Sequence, residues 1–89
     1  MTINLLNKIQ QVAFNRELVG TLFELAITYE QSLDEVTYTS ALDVVYINSR
    51  WSVMTANFTA FDLFDGQAHY RLLVDGVEIL NGRMNIKLN

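Results

Sequence analysis

The sequence predicts a small all-β domain, an antiparallel sandwich or barrel of about six to eight strands. Three observations carry that expectation. The turn dipeptides Asp65-Gly66, Asp75-Gly76 and Asn81-Gly82 punctuate the C-terminal half, and such pairs suit tight turns because Gly takes positive φ and Asp or Asn tolerates it. Between them apolar and polar residues alternate with period two, the spacing of a half-buried strand. The 89 residues contain no proline, and no low-complexity segment or internal repeat marks a linker, so a single domain spans residues 1–89. An α+β arrangement with an N-terminal helix is the alternative.

Along the chain, Leu5, Ile9 and Val12 fall at a spacing that suits a short helix. From Leu18 to Tyr29 two periods compete. Phe23, Leu25, Ile27 and Tyr29 fit one face of a strand, while Leu18, Leu22, Leu25, Ala26 and Tyr29 fit one face of a helix. Thr21, Ile27, Thr28 and Tyr29 favour extended backbone, and Gly20 costs a helix about 1 kcal/mol, so a strand is preferred there. Val36 and Tyr38 alternate with Glu35, Thr37 and Thr39, and the apolar run from Leu42 to Ile47 reads as a strand covered on both faces. Trp51 and Val53 open another strand that continues to Phe58. Tyr70, Leu72 and Val74 alternate with His69 and Arg71, and Val77 and Ile79 flank Glu78 beyond the Asp75-Gly76 turn, which predicts a hairpin. Gly82 follows Gly76 too closely for a new strand and turn, so it is expected to mark a bulge or bend. Met84, Ile86 and Leu88 then restore the alternation, as in a final paired strand.

Composition narrows the function. A chain this short buries about 60 to 65% of its unfolded surface, yet 51% of it is hydrophobic and 18% charged. That balance suits a subunit that hides surface against another protein. Six basic residues against ten acidic ones give a net charge of −4, and the scattered Lys and Arg argue against nucleic-acid binding, which needs clustered cations. The acidic residues are scattered too, which disfavours a dense anionic mimic of nucleic acid. Without cysteine there is neither a disulfide framework nor a thiolate metal site. Asn4, Asn7, Lys8, Gln10 and Gln11 interrupt the first segment, unlike a secretory signal. Val44 to Ile47 is the longest apolar run and falls far short of the roughly 20 residues that cross a bilayer. No membrane association is expected.

Candidate chemistry is sparse. His69 is the single histidine and hence the one side chain that ordinarily titrates near neutrality, but an exposed residue on a strand face explains it without a general base. Asp62 and Asp65 before Gly66 lack the alternating oxygen ligands of a calcium loop, and a turn is the better reading. Asp34-Glu35 reads as a solvated loop. Ser32, Ser40, Ser49 and Ser52 lie in no Gly-flanked elbow, and four scattered glycines form no phosphate cradle. The expectation is a chain that is not an enzyme and takes no cofactor, metal or small-molecule substrate. Trp51 beside Arg50 is either core, the commoner place for a lone Trp, or an interface anchor, a role in which both residue types are enriched. Candidate interface residues are Trp51, Arg50, Tyr70, Val77 and Ile79. Gly20, Gly66, Gly76 and Gly82 are expected to serve turns and close approaches.

Both ends of the chain carry a resemblance. Ile3-Asn4-Leu5, followed by Ile9, Phe14, Leu18, Gly20 and Phe23-Glu24-Leu25-Ala26-Ile27, resembles the start of small bacteriophage baseplate-plug and related tail proteins. Tyr70, Leu72, Val74-Asp75-Gly76-Val77, Ile79-Leu80 and Gly82 look like the closing hairpin of that family and of other small phage virion β-sandwich proteins. Residues 31 to 66 lie outside the resemblance. It implies a structural component of a bacteriophage particle, a tail or baseplate plug or adaptor or a head decoration subunit. Such a component is made in the host cytoplasm, resides in the virion and packs against other virion proteins and copies of itself. The composition also permits a small acidic binding module or inhibitor of a host protein.

Overall fold

The computed structural model describes residues 2–29 and 37–87, and every regular element within them is a strand. Seven strands run in chain order: β1 (Thr2–Asn4), β2 (Ile9–Phe14), β3 (Phe23–Tyr29), β4 (Thr37–Ile47), β5 (Ser52–Asn57), β6 (Gly66–Val74) and β7 (Val77–Lys87). They form a single sheet of order β1-β7-β6-β3-β4-β5-β2, curled into a half-barrel. The expected all-β class holds. All neighbours are antiparallel except β1 and β7, which run parallel with Thr2 opposite Asn85 and Asn4 opposite Lys87. The sheet is therefore mixed.

The concave face is the core. Across it Leu25 of β3 lies opposite Leu72 of β6 and Ser40 of β4, Met54 of β5 lies opposite Val12 of β2, and Ile86 of β7 lies opposite Ile3 of β1. All seven of these side chains are buried. At about 25 cal/mol per Å² of apolar surface removed from water, this one face supplies most of the driving force for folding. Ser40 is satisfied there because its hydroxyl reaches the carbonyls of Ala41 (3.1 Å) and Asn57 (3.2 Å).

The N-terminal helix does not form. Asn4 Oδ1 accepts the Leu6 N–H (2.9 Å), the Asn7 N–H bonds the Asn4 carbonyl (3.1 Å), and Gln10 Nε2 donates to the carbonyls of Asn4 (3.1 Å) and Asn7 (2.7 Å). These local bonds turn the chain through a corner in place of a helical turn. Leu5 and Val12 are buried while Ile9 is exposed, so the stripe that suggested a helix is not one face. The segment from Leu18 to Tyr29 resolves as a loop to Leu22 followed by the preferred strand, β3.

Two further expectations are corrected. The run from Leu42 to Ile47 belongs to a strand, but it is not covered on both sides: Val44, Val45 and Tyr46 are about half exposed. Two causes combine: a single curled sheet has nothing packed on its outer face, and β3 pairs with β4 only as far as Phe23 opposite Leu42 while β4 continues five residues past it. Val45 also bulges, because Val44 and Tyr46 oppose the consecutive residues Met54 and Val53. Gly82 marks no bulge. It lies in regular register opposite Tyr70, and the bulge in β7 falls at Ile79, where Leu72 pairs with Leu80 but Leu73 pairs with Glu78. Glycine at 82 lets the Tyr70 ring lie close to β7, since a Cβ there would stand 3.0 Å from that ring.

The expected hairpin joins β6 and β7 through Asp75 (φ 51°) and Gly76 (φ 82°), the left-handed pair of a two-residue turn. Among the described residues no other backbone has positive φ. Gly66 therefore opens β6 without such a turn, and Gly20 serves a close approach, since a Cβ would collide with the Val74 side chain. Val36 and Asp34-Glu35 lie outside the described residues.

Candidate interaction surface

Strand register brings three connections to one end of the half-barrel, here called the hairpin end. Phe23, the first residue of β3, pairs with both Leu42 and Val74, so the β6–β7 turn and the overhanging end of β4 stand beside it. Phe14, the last residue of β2, pairs with Ser52, which brings the 15–22 loop to the same end.

Each connection is fixed by its own polar chemistry. In the β4–β5 turn, Asn48 Oδ1 accepts the N–H groups of Arg50 and Trp51, both at 2.8 Å, while the Asn48 N–H bonds the Trp51 carbonyl at 2.9 Å. This side-chain turn presents Arg50 and Trp51 outward. The buried Ser52 hydroxyl donates to the Arg16 carbonyl (2.8 Å) and accepts the Leu18 N–H (3.0 Å), which pins the loop across the mouth of the half-barrel and buries Leu18. The Asp75 carboxylate accepts the N–H groups of Thr21 (3.1 Å) and Leu22 (2.8 Å), and its own N–H donates to the Leu22 carbonyl (2.8 Å). One aspartate thus joins the hairpin to the loop.

These anchored segments hold apolar side chains in solvent. Of the eleven large hydrophobic residues that are exposed among the described ones, eight lie at this end: Val19, Leu22, Val44, Val45, Tyr46, Trp51, Val77 and Ile79. Asp43, Arg50, Glu17 and Glu78, their neighbours along the chain, are exposed as well. Apolar residues inside a polar rim are the anatomy of a protein interface. Trp51 is 42% exposed, so it belongs to this surface and not to the core.

At the opposite end aromatic rings pack against one another. Tyr29 and Phe64 stack with ring centroids 3.8 Å apart and planes 13° from parallel. The Tyr29 hydroxyl donates to the Phe64 carbonyl (2.7 Å) and accepts the Phe64 N–H (2.9 Å). Tyr38 meets Tyr29 edge-on at 6.5 Å and Phe61 at 5.3 Å. Burial raises the Tyr29 phenol above its ordinary pKa. The Phe64 N–H offsets part of that rise, and the charges of Tyr38 and Asp65 add to it.

The structure places Arg50, Trp51, Val77 and Ile79 at the hairpin end and Tyr70 on the concave wall, beside a cleft between β2 and β7. His69 is exposed on the convex side of β6, in register with Thr28 and Arg83. Asp62 and Asp65 are exposed. Among the described residues no group of three or more His, Asp or Glu is placed to hold a metal ion. Val19, Leu22, Val44, Val45 and Tyr46 were not foreseen as surface. The one local signal for them is the flanking of the Val44–Ile47 run by Asp43 and Asn48-Ser49-Arg50.

No protein-family model, curated protein or solved structure matches this chain.

Proposed function

We propose that this chain is a structural subunit that works by packing against other proteins, and that the assembly is a bacteriophage particle. The observation that carries the first part is the gathering of exposed apolar side chains at the hairpin end, held there by anchored turns. Burying such a surface is favourable at about 25 cal/mol per Å², and fixed turns reduce the ordering cost of doing so. The second part rests on the resemblance of both chain ends to baseplate-plug and related tail proteins. In this reading the protein is a plug, adaptor or decoration subunit whose partners are virion proteins and further copies of itself.

Mass spectrometry of purified particles tests the particle, and light scattering coupled to size exclusion tests the packing. The expected results are stoichiometric recovery of the chain from particles and a discrete oligomer that Val45→Lys with Trp51→Lys returns to monomer. Absence from particles, with stoichiometric capture of a host protein, overturns the virion reading in favour of an acidic inhibitor.

A further inference from the structure

The part of β4 that runs past β3 carries charges of opposite sign at its two ends. From Leu42 to Ser52 the sequence holds two charged side chains, Asp43 where the overhang starts and Arg50 in the turn that ends it. Both are exposed, and neither makes an ion pair among the described residues. Between and beside them lie the exposed apolar residues Val44, Val45, Tyr46 and Trp51. Register shows which of these share a face. Asp43 is opposite Thr55 and Tyr46 is opposite Val53, alternate residues of β5, whereas Met54 between them points into the core. Asp43 and Tyr46 are thus on the convex face, and Trp51, two residues before Val53, continues its row. With one sheet, that face has no second layer among the described residues.

We propose that two copies of the chain meet on this convex tip, laid antiparallel about a two-fold axis beside Val45 and Tyr46, with Asp43 of each copy facing Arg50 of the other. This rests on the reading that the hairpin end packs against protein, and names which partner takes the β4 side of it. A two-fold contact is self-complementary: where one residue meets another across it, the reverse pair forms too. A strip with an anion at one end and a cation at the other meets that condition when it lies antiparallel to itself, while parallel apposition would set Asp43 against Asp43. Two ion pairs then flank a centre of Val45, Tyr46 and Trp51, an apolar core within a charged rim.

Two features of the tip favour this occupant. Asn48 holds the turn in place beforehand, since its side-chain oxygen accepts the N–H groups of Arg50 and Trp51, so little ordering remains to be done on contact. The bulge at Val45 interrupts the edge that an extended peptide would lengthen. Side chains must therefore carry the contact, and a second copy supplies the matching set.

The test is sedimentation equilibrium of the full chain and its variants. Wild type is expected to form a dimer that weakens as salt rises. Asp43→Arg and Arg50→Asp each set like charges together in both pairs and should raise the dissociation constant about tenfold. Mixing the two variants, or combining both substitutions in one chain, restores opposite charges and should bring the constant back to within about threefold of wild type. That recovery also reports that the variants fold. Because the chain has no cysteine, Val45→Cys places one thiol beside the axis, and mild oxidation should link two copies there. Val77→Cys, at the exposed start of β7, should stay unlinked. A dimer indifferent to both charge reversals, a mixture no tighter than its components, or linkage through Val77→Cys alone would overturn this contact and leave packing by the hairpin end standing. A chain still monomeric at millimolar concentration would overturn it as well, and recovery of the chain from particles then decides the proposed function on its own.

Discussion

At the end of the half-barrel where β3 finishes, aromatic rings pack on one another; at the end where β3 begins, most of the exposed large apolar side chains of the described residues are gathered. Both ends are rich in apolar residues, so composition does not separate them. The difference lies in reach. Tyr29 is 3% exposed and meets Phe64 through a stacked ring and two hydrogen bonds, so its ring finds its partners within the chain. At the hairpin end the polar atoms of Asn48, Ser52 and Asp75 are spent on holding backbone in place, and the apolar side chains around them are only partly covered by the chain itself. The proposed function thus puts association at the hairpin end, while the Tyr29 cluster adds to stability at the other.

Removing the closure should do the most damage. Tyr29→Ala deletes a buried ring and leaves Phe64 without its stack, and a loss of about 3–5 kcal/mol in urea denaturation is expected. Breaking the strut at the hairpin end comes next. Asp75→Ala removes the acceptor for the N–H groups of Thr21 and Leu22 and puts alanine at φ 51°, which together cost about 2 kcal/mol by the same measurement.

Tyr29→Phe keeps the ring and removes the hydroxyl, with an expected loss of about 1 kcal/mol near neutrality. It also has a pH signature. Burial raises the folded-state pKa of Tyr29 above the unfolded value of about 10, so folding favours the neutral phenol. That contribution is complete below pH 10 and is lost as pH rises through the folded value. The advantage of wild type over Tyr29→Phe should thus shrink in denaturation curves taken above pH 10.

The smallest effect on stability is expected from Val45→Thr and Val77→Thr at the hairpin end, each within about 0.5 kcal/mol. Their consequence should appear in light scattering as weakened self-association. A large loss of stability in either variant would contradict the division between the two ends.

What the sequence reveals follows how local each determinant is. The β6–β7 hairpin is legible because Asp75-Gly76 carries its own turn geometry, and β3 is legible because β-branched residues and period two agree. The exposure of Val44 to Tyr46 is not. It depends on where β3 starts, which is set by a loop that Ser52 pins from another strand. Gly82 stands out as unusual in a strand, yet its reason is a ring twelve residues earlier across the ladder. The cleft beside Tyr70 is hidden for the same reason, since Arg16, Tyr70 and Leu80 meet only after the sheet has curled. Turn residues announced the candidate interface better than its apolar members did, because alternation and runs do not say which side a neighbour will cover.

The parallel pairing of β1 with β7 bears on how the molecule answers mechanical load. Tension between Thr2 and Lys87 draws two side-by-side strands past one another, so the bonds between them carry force together and not in succession as they would in a peeled hairpin. Among the described residues, resistance to pulling then rests on the three pairs between β1 and β7. Once they slip, Ile3 leaves the core, and the half-barrel yields from its own lock outward.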